Sequence, residues 1–173
     1  HGILTSYKSI NIDNPKLTCR LNGLEKLSPR ILVIDKDLKI NVKSYIVNNP
    51  KKLNTIIFHN SKNFKRIKKL KKKGLKLIHQ EVEKDGYINL KKLFKNIYNL
   101  GMYSLLVECG KSLTYKILSK KLFNEFYLFK SDKKLNNKGK INVLNINKNL
   151  NKNFKYKKYV NTYLDKDTLI HYY

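Results

Sequence analysis

Tryptophan and alanine are absent from the chain, methionine occurs once, cysteine twice and proline three times. Acidic residues are scarce too, 12 against 38 basic ones, for a formal charge of +26 over 173 residues. Cys19 and Cys109, in no Cys-x-x-Cys pair, exclude a disulfide framework and a four-cysteine zinc site. No apolar run nears the roughly 20 residues that span a bilayer, and no signal-peptide pattern is present. A reducing cytoplasm is therefore the expected compartment, with no membrane partner. The chain opens on His1 rather than a methionine, which sets the expectation that sequence precedes it.

The charge suggests a nucleic-acid partner, and the arginine count argues against one. All but three of the basic residues are lysine, the exceptions being Arg20, Arg30 and Arg66. A surface built to grip phosphates favours the bidentate guanidinium fork. Lysine, asparagine, isoleucine and tyrosine are also what AT-rich codons specify, so nucleotide bias accounts for the excess. The run 65–76 (KRIKKLKKKGLK) is the best support for the nucleic-acid alternative, and on an amphipathic helix it reads as a solvated face. With 41% hydrophobic residues the chain is no disordered tail. Its length suits one domain.

What is present alternates strand and helix. Gly2–Ser6, 30–35, 55–60, 75–82, 103–107 and 125–130 read as strands. Segments 63–73, 89–100 and 112–122 carry apolar residues at helical spacing. Gly74 and Gly101 close two of these helices. The pattern predicts a mostly parallel sheet covered on both faces. Residues 11–15 read as a turn. Residues 17–20 read as extended, with Thr18 and Arg20 on one face. Residues 131–153 read as a long loop with a short strand at 141–144, and 154–173 as a terminal antiparallel hairpin.

Glu108 is one of few acids, and it stands where the run 105–107 ends and Cys109-Gly110 turns toward a helix. Ligands of open α/β sheets sit beyond the carboxyl ends of strands, and a helix start offers free N–H groups to an anion. Taken alone, this turn reads as an ordinary tight connection with a solvated carboxylate, since it lacks a full G-x-G-x-x-G. His59, His79 and His171 are scattered, and no Ser-His-Asp or metal set is evident.

Ser9, Asp13, Pro15, Leu17, Thr18 and Arg20 form one ordered motif. Ser28-Pro29-Arg30 leading through an apolar strand to Asp35 forms a second, Leu106-Val107-Glu108-Cys109-Gly110 a third, and Phe123 to Leu128 a fourth. In this order the motifs resemble the reductase domain of the bifunctional riboflavin-biosynthesis deaminase/reductase, which has the dihydrofolate-reductase-like fold. The resemblance implies an NADPH-dependent reduction of 5-amino-6-(5-phosphoribosylamino)uracil to its ribitylamino form. It implies substrate contacts at Leu17, Arg20 and Glu108, with Arg20 on the ribose phosphate. It implies cofactor contacts at Ser9 and Asp13 and along Gly110, Lys111, Ser112, Leu113, Thr114, Tyr115 and Lys116. No metal is implied, and a homo-oligomer is.

Cys109 and Lys111 depart from the family's small residues at that turn, and Asn14 replaces a frequent aspartate. Arg30 directly follows Pro29, so no role is assigned to it. The family's first strand and its zinc deaminase domain would precede His1. The expectation is thus one reductase domain over 1–173 that lacks its N-terminal strand. A related pteridine or pyrimidine reductase is an open alternative. The acidic corner at Glu108 and the Asp13–Arg20 loop are expected to share one cleft rim.

Overall fold

The computed structural model describes residues 1–133, 144–161 and 166–173. They form two compact units, His1–Gly110 and Lys111–Tyr173.

The first unit is built on a five-stranded parallel sheet. In chain order its strands are β1 (Gly2–Ser6), β2 (Arg30–Ile34), β3 (Ile56–His59), β4 (Lys76–His79) and β5 (Leu105–Val107). In space the order is β4-β3-β2-β1-β5. The uninterrupted apolar run of β2 needs cover on both faces, and Ile31, Leu32 and Val33 are all fully buried.

Helices α1 (Tyr7–Asp13), α2 (Tyr45–Asn48), α3 (Pro50–Leu53) and α4 (Phe64–Lys72) bring Ile10, Ile46, Val47, Leu53 and Leu70 onto Ile31, Val33 and Ile57. By strand alternation Leu4, Leu32, Ile56 and Phe58 point the other way, and they too are buried. Helix α5 (Leu90–Asn99) supplies a buried stripe of Leu90, Leu93 and Ile97. Asparagine side chains cap two of the expected helices: Asn63 accepts from the Arg66 N–H at 2.9 Å, and Asn89 from the Lys92 N–H at 3.0 Å. Gly74 and Gly101 end them with φ of 90° and 80°.

Asp35, just past β2, is fully buried. Its carboxylate accepts from the Lys39 N–H at 2.8 Å and the Ile40 N–H at 2.7 Å. Burial pushes its pKa up, while those two donors and the Arg66 charge oppose the shift. Arg66 donates to the carbonyls of Leu38, at 2.9 Å, and Ile40. One of the three arginines thus serves the fold: its fork holds two carbonyls that a lysine point charge would not pair as well.

The second unit holds α6 (Lys111–Ser119), α7 (Leu144–Asn153) and the strands β6 (Phe126–Lys130), β7 (Lys157–Val160) and β8 (Thr168–Tyr172). The three strands form an antiparallel sheet in the order β6-β8-β7. Ile170 and Tyr172 on its inner face pack with Leu118, Ile146 and Leu150 from the two helices.

Four local expectations are corrected. The turn expected at 11–15 is helical through Asp13, because the Ser6 hydroxyl caps the Ser9 N–H at 3.3 Å and Ile10 is buried. Asn14, at φ 44°, ends that helix. Residues 17–20 form no strand, and Leu17 at φ 51° breaks the expected alternation. β6 pairs antiparallel with β8 rather than joining the parallel sheet. Within 131–153 a helix replaces the expected loop, with Ile146 and Leu150 placed i, i+4 against the second sheet. The strand expected at 141–144 lies outside the described residues, except that Leu144 opens this helix.

Among the described residues no helix is long and apolar enough to cross a membrane. Nor does any group of three or more His, Cys, Asp and Glu there suit a metal ion.

Candidate functional site

The chain lays down β1 to β4 in one direction and then returns to place β5 on the other side of β1. The gap between β1 and β5 is therefore the switch point of the sheet. At such a point the ligands of open α/β sheets bind, in the crevice beyond the carboxyl ends of the strands.

Two of the expected site residues stand at this crevice. Ser9 lies in the first turn of α1, directly after β1, with its hydroxyl 3.2 Å from that of Ser6. Glu108 follows β5, and its N–H donates to the Leu4 carbonyl at 3.0 Å, prolonging the β1–β5 ladder by one bond. Glu108 is exposed.

Gly110 comes two residues later. A Cβ placed on it would meet nothing within 4 Å, and its φ lies outside the left-handed range. Neither packing nor conformation requires glycine here. Open space over a bare backbone fits the close approach of a dinucleotide, so this position suits the implied cofactor.

Lys111, Ser112, Leu113, Thr114, Tyr115 and Lys116 form the first two turns of α6, in the second unit. Lys111, Ser112 and Tyr115 are exposed, and Leu113, Thr114 and Lys116 are half-buried. The buried face of that helix starts only at Ile117 and Leu118.

Asp13 lies four residues beyond Ser9, about 6 Å along α1, and Leu17 and Arg20 follow the end of that helix. Asp13 and Arg20 line a groove of about 580 Å³ with Lys16, Glu25, Tyr45 and Lys52. Three cations against two carboxylates leave it positive, which suits a phosphorylated ligand. The Asn14 side chain fixes one wall by accepting from the Tyr45 N–H at 2.7 Å, and Lys16 lies 5.8 Å from the centre of the Tyr45 ring. Leu17 does not line the groove. It packs half-buried against the apolar cluster around Ile10. Glu108 does not line it either.

Four of the expected residues thus fall in two places, Ser9 with Glu108 at the sheet's switch point and Asp13 with Arg20 in the groove. Tyr45 and Lys52 were missed because the stretch 36–54 carries no clear periodicity. Proline at the first position of α3, Pro50, was the one available signal.

Further along the carboxyl edge, His59 and His79 pair across β3 and β4 with rings 5.8 Å apart and nearly perpendicular. Burial, then the nearby His79 charge, push the His59 pKa down. Among the described residues the buried Nδ1 of His59 and Nε2 of Gln80 have no hydrogen-bond partner.

With its parallel five-stranded sheet and separate antiparallel three-stranded sheet, the chain falls in the dihydrofolate-reductase-like class of α/β proteins. Solved structures bear this out. The protein is similar to RibD of Acinetobacter baumannii (TM-score 0.72, 16% identity, 99% of this chain and 46% of that one). It is also similar to the Saccharomyces riboflavin biosynthesis reductase Rib7 (TM-score 0.74, 18% identity, 99% and 74%). A pyrimidine reductase-like protein of Corynebacterium diphtheriae matches as well (TM-score 0.70, 15% identity, 99% and 74%). At such identities the likeness establishes the fold, and the chain spans less than half the length of the Acinetobacter protein. The family model of the RibD C-terminal domain matches residues 1–135, and the chain belongs to that family. The family resemblance carried by the four motifs is borne out.

Proposed function

We propose that the protein is the reductase of riboflavin biosynthesis that converts 5-amino-6-(5-phosphoribosylamino)uracil to 5-amino-6-(5-phosphoribitylamino)uracil with NADPH. The observation that carries this reading is the placement of Ser9 and Glu108 at the switch-point crevice of a chain belonging to the RibD C-terminal domain family. NADPH would supply the hydride. The chain's own residues then need only bind, orient and exclude water. A site with few acid–base groups is consistent with that division.

Ser9, Asp13, Gly110 and the Lys111–Lys116 turns would hold the dinucleotide, with Lys111 beside one of its phosphates. Glu108 would anchor the substrate through polar donors. Arg20 would take the ribose phosphate, its planar fork matching two phosphate oxygens, and Leu17 would support that loop from its packed side. We place this activity in the cytoplasm, in a homo-oligomer, with 1–173 acting as a single reductase domain.

The test is NADPH oxidation by the protein with the phosphoribosylamino-pyrimidine as substrate, followed at 1:1 stoichiometry with the ribityl product. Oxidation only of a pteridine would move the assignment to a related reductase. Steeply salt-dependent binding to generic DNA or RNA with no turnover would favour the nucleic-acid alternative.

A further inference from the structure

The segment after α1 turns its cations into the groove of the first unit. Leu17, at φ 51°, packs half-buried against the apolar cluster around Ile10, while its neighbours Lys16 and Thr18 line the groove. The segment is tied again further on. There the Cys19 N–H donates to the Ser28 hydroxyl at 3.1 Å, and that hydroxyl donates to the Glu25 carbonyl at 2.6 Å. Lys16 and Arg20 therefore reach the groove from a pinned backbone. Among the described residues neither they nor Lys52 form an ion pair, so Asp13 and Glu25 do not neutralise them by contact.

The opposite wall is fastened to the same helix. Asn11 accepts from the Asn41 N–H at 2.7 Å and donates to the Lys39 carbonyl at 3.0 Å, and Asn14 accepts from the Tyr45 N–H at 2.7 Å. The turn at 35–40 is held from behind by Asp35 and Arg66. Tyr45 is half-buried, packs against the core cluster and also lines the groove. Its ring thus has a fixed place, and Lys16 Nζ lies 5.8 Å from its centre, within cation–π reach. A lysine loses much rotamer freedom when a ligand orders it. This contact restricts Lys16 beforehand, which favours binding.

We propose that Lys16 and Arg20 form a two-cation clamp on a phosphate monoester, with Tyr45 as the positioning residue that holds Lys16. The proposal rests on the reading above, in which Arg20 takes the ribose phosphate, and adds the second cation. A monoester carries about −1.5 to −2 charge near pH 7. A guanidinium pairs with two of its oxygens, which leaves the third oxygen and the remaining charge for a lysine. A phosphodiester has no such remainder, so the clamp separates a terminal phosphate from a nucleic-acid backbone.

Calorimetric titration of the full chain with ribose 5-phosphate, ribose and adenosine 2′-monophosphate tests it. The wild type should bind ribose 5-phosphate and not ribose. Lys16→Met should raise the ribose 5-phosphate Kd by about tenfold, Tyr45→Leu by about two- to fivefold, and Tyr45→Phe should leave it near the wild type. In the Lys16→Met background Tyr45→Leu should add nothing, since its contribution runs through Lys16. If Tyr45→Leu misfolds, Lys16→Met and Tyr45→Phe still carry the test. Unchanged affinity in Lys16→Met, additive losses in the double variant, or a wild type that does not bind ribose 5-phosphate would overturn the proposal. So would a larger loss for adenosine 2′-monophosphate, which would assign the cations to the dinucleotide. The expected affinities without turnover of the phosphoribosylamino-pyrimidine would keep the clamp and remove the reaction. Turnover with an unchanged KM in Lys16→Met would keep the reaction and remove the clamp.

Discussion

The Glu108 N–H is hydrogen-bonded to the Leu4 carbonyl at 3.0 Å, so the backbone of the acidic corner is an extension of the sheet and not a free loop. The same strand, β1, ends in Ser6, which caps the helix that carries Ser9. A single strand therefore fixes where both residues begin.

Because this tether is main-chain, Glu108→Gln should fold as the wild type does, with an unaltered Tm. It should lower kcat/KM for the pyrimidine by about 10–100-fold, the worth of a hydrogen bond to a charged group. NADPH affinity should be retained. Steady-state kinetics with cofactor titration checks this, and unaltered turnover and substrate affinity would remove Glu108 from the site.

Arg20→Ala should raise KM for the phosphorylated substrate by about tenfold or more and change NADPH binding by less than about threefold. The salt dependence of substrate binding should shrink with it, since the lost contact is ionic. Equal losses for substrate and cofactor would contradict the phosphate role.

Gly110→Ala separates packing from ligand approach. No atom lies within 4 Å of the added Cβ, so stability should hold or rise by about 0.4–1 kcal/mol through the unfolded chain. Dinucleotide affinity should fall by about tenfold if the backbone is approached closely. Fluorescence titration beside a thermal melt reads both, and undiminished affinity would place the cofactor elsewhere.

His59 should make the fold acid-sensitive. Its pKa is depressed in the folded state, chiefly by burial, so below the ordinary histidine range the unfolded chain binds the proton more readily. Stability is then complete above about pH 6.5 and falls as pH drops below it. Urea melts at about pH 7 and about pH 5 should show this loss, and His59→Leu should diminish it. An identical slope in the variant would assign the effect to other groups.

Legibility in the sequence followed how local the cause was. Helices α4 and α5 were readable because apolar spacing, an asparagine cap and a closing glycine agree within each segment. Helix α1 was misread at its end because Asn11, Asp13 and Pro15 carry turn chemistry. Burial of Ile10 and the Ser6 cap outweighed it, and neither is visible without neighbours. The Leu17 backbone defeated the alternation expected around Arg20 for a similar reason: its side chain is drawn into the core. The Asn/Lys-rich stretch holding α7 has too weak a pattern to be read before its sheet is known.

By itself the sequence determined the parallel strands, their order along the chain, the acidic end of β5 and the motifs that mark the family. Hydrophobic period, capping and turn residues all act within a few positions of one another. Only the tertiary structure decided that β5 lies beside β1, that β6 pairs with β8, and that Tyr45 and Lys52 stand with Arg20. Strand pairing and groove walls join residues tens of positions apart, and which of them meet depends on the burial gained by the whole arrangement.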